Sequence, residues 1–225
     1  RGQVQEQDRH DRSQTNRQKE MVDSKALIDT IKQSQRCQRN WDLSKKVRPE
    51  DVELLKIAVT QCPSKQNRVF YKAVFVQNRN VIEQLHASSD CYVWNFEPRK
   101  AVTNSQMMAN MLVVFFRDRD QNTGARTEEE YAHGINAGKT QMDEDRALGI
   151  AGGYLNLTAH MLGYKTGFYN SHHNPEKLHS IFGELPSMAL GIGYPDINRN
   201  PNVHHAIPTF TFPSFNKKIK VEEMN

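Results

Sequence analysis

The stretch that most constrains the fold of this chain is MLVVFFR, residues 111–117. It begins with an unbroken row of apolar residues and lacks the polar alternation of a strand with one wet face. The run therefore predicts a central strand that is covered on both faces. Two further runs rich in apolar residues predict strands beside it, RVFYKAVFV at 68–76 and SMALGIGYP at 187–195.

Helical spacing of apolar residues predicts the elements around these strands. The predicted helices lie at 25–35, 48–61, 80–89, 127–163 and 174–183. Two of them have clear start signals, Pro49 followed by two acids and Asn174 followed by Pro175. The segment 143–163 is apolar almost all round, so we expect it to be buried in the core or in a subunit interface.

The order of these elements is helices, strand, helix, strand, helices, strand and a proline-rich tail. So few strands, without a regular βαβ repeat, indicate an α+β fold. The chain has no G-x-G-x-x-G after its first strand and no G-x-x-x-x-G-K-[ST], which argues against Rossmann-type dinucleotide binding and P-loop chemistry. We expect irregular structure at 90–104 and a weak edge strand at 215–223.

Composition limits the class and the location of the protein. Residues 1–20 contain one large aliphatic residue, Val4, and no aromatic, so we expect a disordered or weakly ordered arm. The formal charge of +4 is small, and the basic residues are mixed with acids, unlike the basic stripe of a nucleic-acid-binding protein. Three cysteines, Cys37, Cys62 and Cys91, form no CxxC pair and fit a reducing compartment. No apolar run is long enough for a membrane span or a signal peptide, so we expect a cytoplasmic location.

Two short polar motifs follow predicted helices and carry groups that bind anions or heterocycles. In RCQRNW, the guanidinium groups of Arg36 and Arg39 can converge on one phosphate, although the same spacing also fits a solvated basic turn. In PSKQN, the Ser64 hydroxyl and backbone N–H groups can bind the polar edge of a heterocycle, or Pro63 simply ends the helix. No G-x-S-x-G surrounds Ser64, which disfavours a nucleophilic role.

Two histidine pairs, His172–His173 and His204–His205, look like metal ligands at first sight. Adjacent residues of a strand point to opposite faces, so such a pair seldom gives two ligands to one ion. No carboxylate partner is evident in the sequence beside either pair. We therefore expect no metal site, and we expect these histidines to lie near an anion or a substrate.

In their order along the chain, these motifs resemble those of the nitroreductase-like FMN flavoprotein family. That family shows R-S-x-R-x-aromatic, which RCQRNW matches except at Cys37, and P-S-x-x-N, which PSKQN matches. It then shows a buried helix that ends in Leu-Gly and a strand that ends in Gly-Tyr-Pro, which this chain has at 162–163 and 193–195. The resemblance extends over roughly residues 25–200.

The resemblance implies a small mixed or antiparallel central sheet flanked by helices, in an intertwined homodimer with FMN at its interface. It assigns residues 21–200 to an FMN-binding domain and residues 201–225 to a C-terminal extension that packs on the partner subunit. It also implies an oxidoreductase that takes electrons from NAD(P)H and delivers them to a flat nitroaromatic or quinone-type electrophile by a ping-pong mechanism. Flavin N5 carries this chemistry, so no catalytic side chain is expected.

The cofactor contacts of that family correspond to particular residues of this chain. The first motif would bind the FMN phosphate, ribityl chain and pyrimidine edge, and the P-S-x-x-N loop would reach the flavin of the neighbouring subunit. Residues near 104–106 would approach the ring or the ribityl chain, the loop after Gly163 would cover N5, and a C-terminal cation would complete the phosphate site. The implied cofactor-binding residues are Arg36, Cys37, Arg39, Pro63, Ser64, Lys65, Asn67, Asn104, Gln106, Asn170, Ser171 and Arg199.

Three departures from the family pattern leave the substrate open. Cys37 replaces the usual Ser, RVFY at 68–71 replaces the common Gln-Pro-Trp, and Asn170-Ser171 replaces the common Glu-Gly. The segments 68–71 and 170–171 motivate an alternative flavin reaction, either reductive dehalogenation or dehydrogenation of a specific metabolite. A different class of function is a non-enzymatic interaction module that uses the basic, Gln-rich arm.

Overall fold

The computed structural model of the protein describes residues 23–92, 101–118, 137–170, 174–215 and 217–224. Within these ranges the α-helices are α1 (Ser24–Ser34), α2 (Pro49–Thr60), α3 (Arg79–Ala87), α4 (Ala137–Met161) and α5 (Pro175–Phe182). The strands are β1 (Tyr71–Val76), β2 (Asp90–Tyr92), β3 (Ala101–Thr103), β4 (Met111–Arg117), β5 (Lys165–Tyr169) and β6 (Met188–Gly193). Two short 3₁₀ helices lie at Lys65–Asn67 and Ser105–Met108. None of the described helices is both long and apolar enough to cross a membrane.

Four strands form an antiparallel sheet in the order β1-β4-β6-β5. Strand β4 lies inside this sheet, where Phe115 is opposite Ala73 of β1 and Met188 of β6. Every residue from Met111 to Phe116 is buried, which confirms the prediction of a strand covered on both faces. Strands β2 and β3 pair with each other in a separate two-stranded ribbon.

The two faces of the sheet have separate hydrophobic cores. On one face, Val113 and Phe115 belong to a cluster with Leu55 of α2 and Leu155 of α4. The other face is covered by α3, α5 and the 3₁₀ helix Ser105–Met108. Its cluster contains Trp41, Val76, Ile82, Leu85, Met107, Ala109, Leu112, Val114, Phe116, Tyr169, Leu178 and Ala189. Successive side chains of β4 therefore enter different cores, which explains why its sequence shows no polar alternation.

Start signals in the sequence predict two helices correctly. Helix α2 begins at Pro49, and α5 begins at Pro175 with the Asn174 side chain as its N-cap. The Asn174 Oδ1 atom accepts the N–H of Lys177 at 3.3 Å. These helices form where the sequence places them because the proline and the cap satisfy or remove N–H groups that a first turn leaves without partners.

The expectation of irregular structure at 90–104 is wrong at both ends of that segment, because β2 and β3 pair with Asp90 opposite Thr103. The sequence does not predict strand β5, because its five residues include Lys165 and Gly167, which are disfavoured in strands. It forms through its long-range pairing with β6. No strand forms at 217–224, so the predicted edge strand is wrong for the part of the tail that the structure describes.

Helix α4 buries one face and exposes the other. Ala147, Leu148, Ala151, Leu155 and Ala159 are buried. On the opposite side, Ile150, Tyr154 and Met161 are 38%, 48% and 61% exposed. Burial of this helix all round is therefore wrong for the single chain, and an interface on its exposed face stays a prediction.

The glycine at position 191 allows the 3₁₀ helix to approach β6. A Cβ atom added to Gly191 would collide with the backbone O of Gln106 and would lie 2.9 Å from the Cβ of Ala109. Because the main chain of the 3₁₀ helix cannot rotate away, we expect Gly191→Ala to lower the free energy of unfolding by about 3 kcal/mol. Urea unfolding followed by circular dichroism measures this change.

Gly149→Ala is the control for this prediction, since nothing lies within 4 Å of a Cβ added at that helical position. Alanine favours a helix over glycine by about 1 kcal/mol, so this variant should be as stable as the parent protein or slightly more stable. Equal losses of stability in the two variants would contradict the steric argument.

Candidate functional site

The segment 38–41, between α1 and α2, is bound to the end of the sheet. The Gln38 N–H donates to the backbone O of Thr166 in β5 at 2.7 Å. The Trp41 Nε1–H donates to the backbone O of Ser105 at 3.0 Å, and the Trp41 backbone forms a bridge with Pro195 after β6. These bonds hold the first motif against β5, β6 and the 3₁₀ helix.

The segment 104–106 lies at the same place. The Asn104 Oδ1 atom accepts the N–H of Gln106 at 2.9 Å and so begins the 3₁₀ helix. A Cβ atom added to Gly167 of β5 would lie 2.7 Å from the backbone O of Gln38 and 2.8 Å from the Cγ of Gln106. Two of the predicted site segments therefore meet over a glycine.

Arg39 is the central charged group of this region. Its guanidinium carbon lies 4.5 Å from the ring centroid of Phe212, and its Nη1 donates to the Cys37 backbone O and the Asn202 Oδ1, both at 3.4 Å. Its Nε is buried and has no hydrogen-bond partner in the described chain. Burial lowers the pKa of Arg39, an effect that Cys37 opposes, yet a guanidinium stays charged at neutral pH. Such a group is suited to bind an anionic or carbonyl oxygen of a ligand.

The C-terminal segment 196–212 packs on the first motif. The Asn40 Nδ2 donates to the backbone O atoms of Asn200 and Val203 at 2.7 and 2.8 Å. Arg199 is exposed, and its guanidinium donates to the backbone O of His205. The predicted C-terminal cation therefore lies on the same segment as Asn202, which contacts Arg39.

Two histidines of this segment, His204 and His205, meet His86 of α3. The ring centroid of His205 lies 4.7 Å from that of His86 in α3 and 4.5 Å from that of His204. The His205 Nδ1 is 2.7 Å from the Ser105 Oγ. The pKa of His86 is lowered to about 4 by burial and then by His205, and the pKa of His205 is lowered to about 4 by burial and then by His204. These rings are therefore neutral at physiological pH.

The part of the chain that the structure describes contains no group of three or more His, Cys, Asp or Glu side chains that could hold a metal ion. His172 and His173 lie outside the described residues, and so does the predicted site residue Ser171. Of the other predicted residues, Arg36 and Asn170 are exposed and Cys37 is half-buried.

The PSKQN loop directly precedes β1, which is at the opposite edge of the sheet from β5. Gln66 and Asn67 have positive φ angles of 55° and 53°, and the Ser64 Oγ–H donates to the Arg68 backbone O at 2.6 Å. Pro63 is exposed, and the Lys65 Nζ forms an ion pair with Asp143 of α4 at 2.5 Å. Among the described residues, no hydrogen bond or ion pair joins this loop to the Arg39 segment. One chain therefore does not bring the two motifs together.

A groove of about 560 Å³ lies beside the PSKQN loop. It runs between α2 and β1, the strand at one edge of the sheet. Its lining includes Ser64 and Asn67 of the loop, together with Lys56, Val59, Thr60, Cys62, Arg68, Val69, Phe70, Tyr71, Lys72, Ala73 and Phe75.

Sequence reasoning missed several residues of the Arg39 region, above all Gln38, Asn202 and Phe212. A glycine inside a strand often marks the close approach of another backbone, so Gly167 and Gly191 were the available signals for Gln38 and the 3₁₀ helix. No local pattern identifies Asn202 or Phe212, because their partner Arg39 is more than 160 positions away.

Solved structures with a similar fold include nitroreductases. The structure of B. megaterium NfrA2 has a TM-score of 0.61 and 16% identity over 79% of this chain and 69% of that chain. Nitroreductase A from Vibrio parahaemolyticus has a TM-score of 0.59 and 16% identity over 89% and 78%. A candidate nitroreductase in complex with FMN from Exiguobacterium sibiricum has a TM-score of 0.56 and 17% identity over 79% and 92%. No protein-family model and no curated protein matches the sequence. The chain thus has a nitroreductase-like fold.

Acid should weaken the contact between the C-terminal segment and α3. The pKa values of His86 and His205 are about 4 in the folded protein, against an ordinary value of 6.5, so the unfolded chain binds protons first as the pH falls. The stabilisation is complete above about pH 6.5 and is lost toward pH 4. After allowance for partial exposure, we expect these two rings to lower the free energy of unfolding by about 2 kcal/mol across that window. Urea unfolding at a series of pH values measures the loss.

His86→Gln should make this pH dependence shallower, because it removes one of the two titrating rings. Gln84→Ala, at an exposed position on α3, should leave the slope unchanged. The same slope in His86→Gln and in the parent protein would contradict the role of the histidine cluster.

Proposed function

We propose that this protein is an FMN-dependent oxidoreductase that transfers electrons from NAD(P)H to a flat electrophile, either a nitroaromatic compound or a quinone, by a ping-pong mechanism. The observation that carries the proposal is the half-buried Arg39, whose Nε atom has no hydrogen-bond partner among the described residues. Arg39 directly follows Gln38, which meets Gln106 over Gly167. It occurs in a chain whose fold is similar to that of a protein solved in complex with FMN.

The residues of the Arg39 region fit the chemistry of FMN. The cofactor has a dianionic phosphate, which Arg36 and Arg199 would bind with charge-assisted hydrogen bonds. Its pyrimidine edge carries carbonyl oxygens, one of which would satisfy the Nε atom of Arg39. FMN, when bound, supplies hydride transfer through its N5 atom, and the charge of Arg39 at the pyrimidine edge would raise its potential. Gln106, with Cys37, Asn104, Asn170 and Ser171, would bind the rest of the cofactor.

The separation of the PSKQN loop from Arg39 supports a site shared between two copies of the chain. Pro63, Ser64, Lys65 and Asn67 would then reach the flavin of the partner subunit. The loop is tied by Lys65 to α4, whose outer face presents Ile150, Tyr154 and Met161 to solvent. A Cβ atom added at Gly153 on this face would have no atom within 4 Å. A flat, partly apolar helix face is suited to close packing against its own copy.

In the C-terminal extension, residues 201–225, the part up to Phe212 packs on its own chain, and the part after Phe212 would add to this homodimer. Phe215, Ile219 and Val221 are 87%, 71% and 82% exposed, an unfavourable arrangement for large apolar side chains of one short segment. The outer edge of β1 has no paired strand among the described residues and borders the 560 Å³ groove. This combination of an exposed apolar tail and an open strand edge supports packing of the tail on a partner subunit.

The purified protein should be yellow and should oxidise NAD(P)H in the presence of a quinone. We expect Arg39→Gln to weaken FMN binding about tenfold to hundredfold, because the variant loses a charge-assisted hydrogen bond to the cofactor. Arg39→Lys should lose less, since it keeps the charge. Quenching of FMN fluorescence during titration measures the dissociation constant.

Lys177→Gln, at an exposed position on α5, is the matched control and should bind FMN like the parent protein. A colourless parent protein that FMN does not tint would overturn the proposed function. Equal effects of Lys177→Gln and Arg39→Gln would overturn the assignment of Arg39.

The proposed homodimer predicts the effect of a charge on the outer face of α4. Tyr154→Arg should convert the dimer to a monomer and weaken FMN binding with it, because the interface would have to bury the added cation. Sedimentation velocity measures the mass. Gln84→Arg, at an exposed position on α3, adds the same charge away from this face and should remain dimeric. A monomeric parent protein would contradict the shared site.

A further inference from the structure

His204 anchors the C-terminal segment. It is 1% exposed, and its Nδ1 accepts the N–H groups of Ala206 and Ile207, both at 3.1 Å. Its Nε2 lies 2.8 Å from the backbone O of Thr103. Because Nδ1 accepts two hydrogen bonds, the proton must reside on Nε2, which donates to Thr103. Both nitrogen atoms of the ring are therefore used, and the ring is neutral.

Phe212 links this anchor to Arg39. Its ring is nearly parallel to that of His204, with an interplanar angle of 20° and ring centroids 6.0 Å apart. It also makes a T-shaped contact with the ring of Phe210, with centroids 4.8 Å apart. The same ring lies 4.5 Å from the guanidinium carbon of Arg39. The Phe212 N–H donates to the Asn202 backbone O at 2.7 Å, and the His204 N–H donates to the Phe210 backbone O at 2.9 Å. The aromatic ring is thus held from several sides against the cation.

We propose that His204 is a positioning residue for Arg39, acting through Phe212. Neutral His204 ties the segment 199–212 to Thr103 and so keeps the Phe212 ring on the guanidinium group. Both hydrogen bonds of the Arg39 guanidinium group to described residues are 3.4 Å long, so the cation–π contact is the stronger constraint on its direction. The consequence for flavin binding rests on the function proposed above, whereas the positioning itself does not.

The surroundings of His204 oppose its protonation. A proton on Nδ1 would break the bonds from Ala206 and Ile207. The added charge would face Arg199 and His205 of its own segment, His86 and Arg79 of α3 with the Arg79 ion-pair partner Glu83, and Arg39 across the Phe212 ring.

Burial lowers the pKa of His204, the hydrogen bond to Thr103 raises it in part, and Arg199 lowers it further. The folded pKa is therefore below the ordinary value of 6.5. The docked segment is fully stable above about pH 6.5 and becomes less stable as the pH falls below it.

Matched variants separate the anchor from the local turn. In His204→Asn, the side-chain oxygen can still accept the two N–H groups that Nδ1 accepts, but the shorter side chain does not reach Thr103. His204→Gln restores a donor of sufficient length. Phe212→Leu removes the ring, whereas Phe212→Tyr keeps it. Ile197→Ala is the control in the preceding stretch, where the side chain is 88% exposed.

The flavin readouts are the dissociation constant and the midpoint potential of bound FMN. We expect His204→Asn and Phe212→Leu each to weaken FMN binding about fivefold to tenfold and to lower the potential, because the charge of Arg39 is no longer held at one position. Phe212→Tyr and Ile197→Ala should match the parent protein, and His204→Gln should recover part of the loss. If His204 acts through Phe212, the double variant will be no worse than Phe212→Leu alone.

A measurement on the cofactor-free protein tests the positioning role of His204 independently of the proposed function. Hydrogen exchange of the His204 and Phe212 amides in the cofactor-free protein should be slow at neutral pH, faster below pH 6.5 after correction for intrinsic rates, and fast at every pH in His204→Asn. Unchanged exchange in His204→Asn, or additive effects in the double variant, would overturn the proposal. Failure of the parent protein to bind FMN would overturn the proposed function, and the exchange experiment would still decide the role of His204.

Discussion

The close approach of two backbone segments to strands β5 and β6 is the constraint on which the rest of the candidate site depends. Residues 38–41 and the 3₁₀ helix Ser105–Met108 meet over Gly167, where an added Cβ atom would touch both. Because glycine occupies that position, Gln38 can donate to Thr166 and the adjacent Arg39 is held at the end of the sheet. Gly167 contributes no side-chain packing to its strand, but its lack of a Cβ atom allows the two segments to form a site of defined shape.

The positive charge of the same region comes from Arg39 and from Arg199 on the C-terminal segment. Arg39 is half-buried, and the solvation free energy that this costs is not offset by an ion pair to any described carboxylate. The neighbouring rings of His86, His204 and His205 fill volume without adding charge, because burial keeps them neutral. A positive site without a counter-ion among the described residues favours an anionic ligand, and the proposed cofactor carries such a charge in its phosphate.

The sequence predicts some elements of this fold well and others not at all. Strand β4 and helices α2 and α5 are predicted because their signals are local: an unbroken apolar run, prolines at helix starts and an Asn cap. Strand β5 is missed because it contains Lys165 and Gly167 and owes its conformation to pairing with β6. The β2–β3 ribbon is missed for the same reason, since each of its strands is only three residues long and is stabilised by the other.

The sequence by itself determined the fold class and the principal helices and strands. Its ordered motifs indicated a nitroreductase-like fold, and the solved structures of similar fold agree with that indication. Only the tertiary structure decided which side chains meet. Arg39 contacts Phe212 and Asn202, and His204 contacts Thr103, through separations of 100 residues or more. Such contacts leave no periodic trace in the sequence, because they arise when the chain closes long loops, and the free energy that holds them comes from packing of the whole domain.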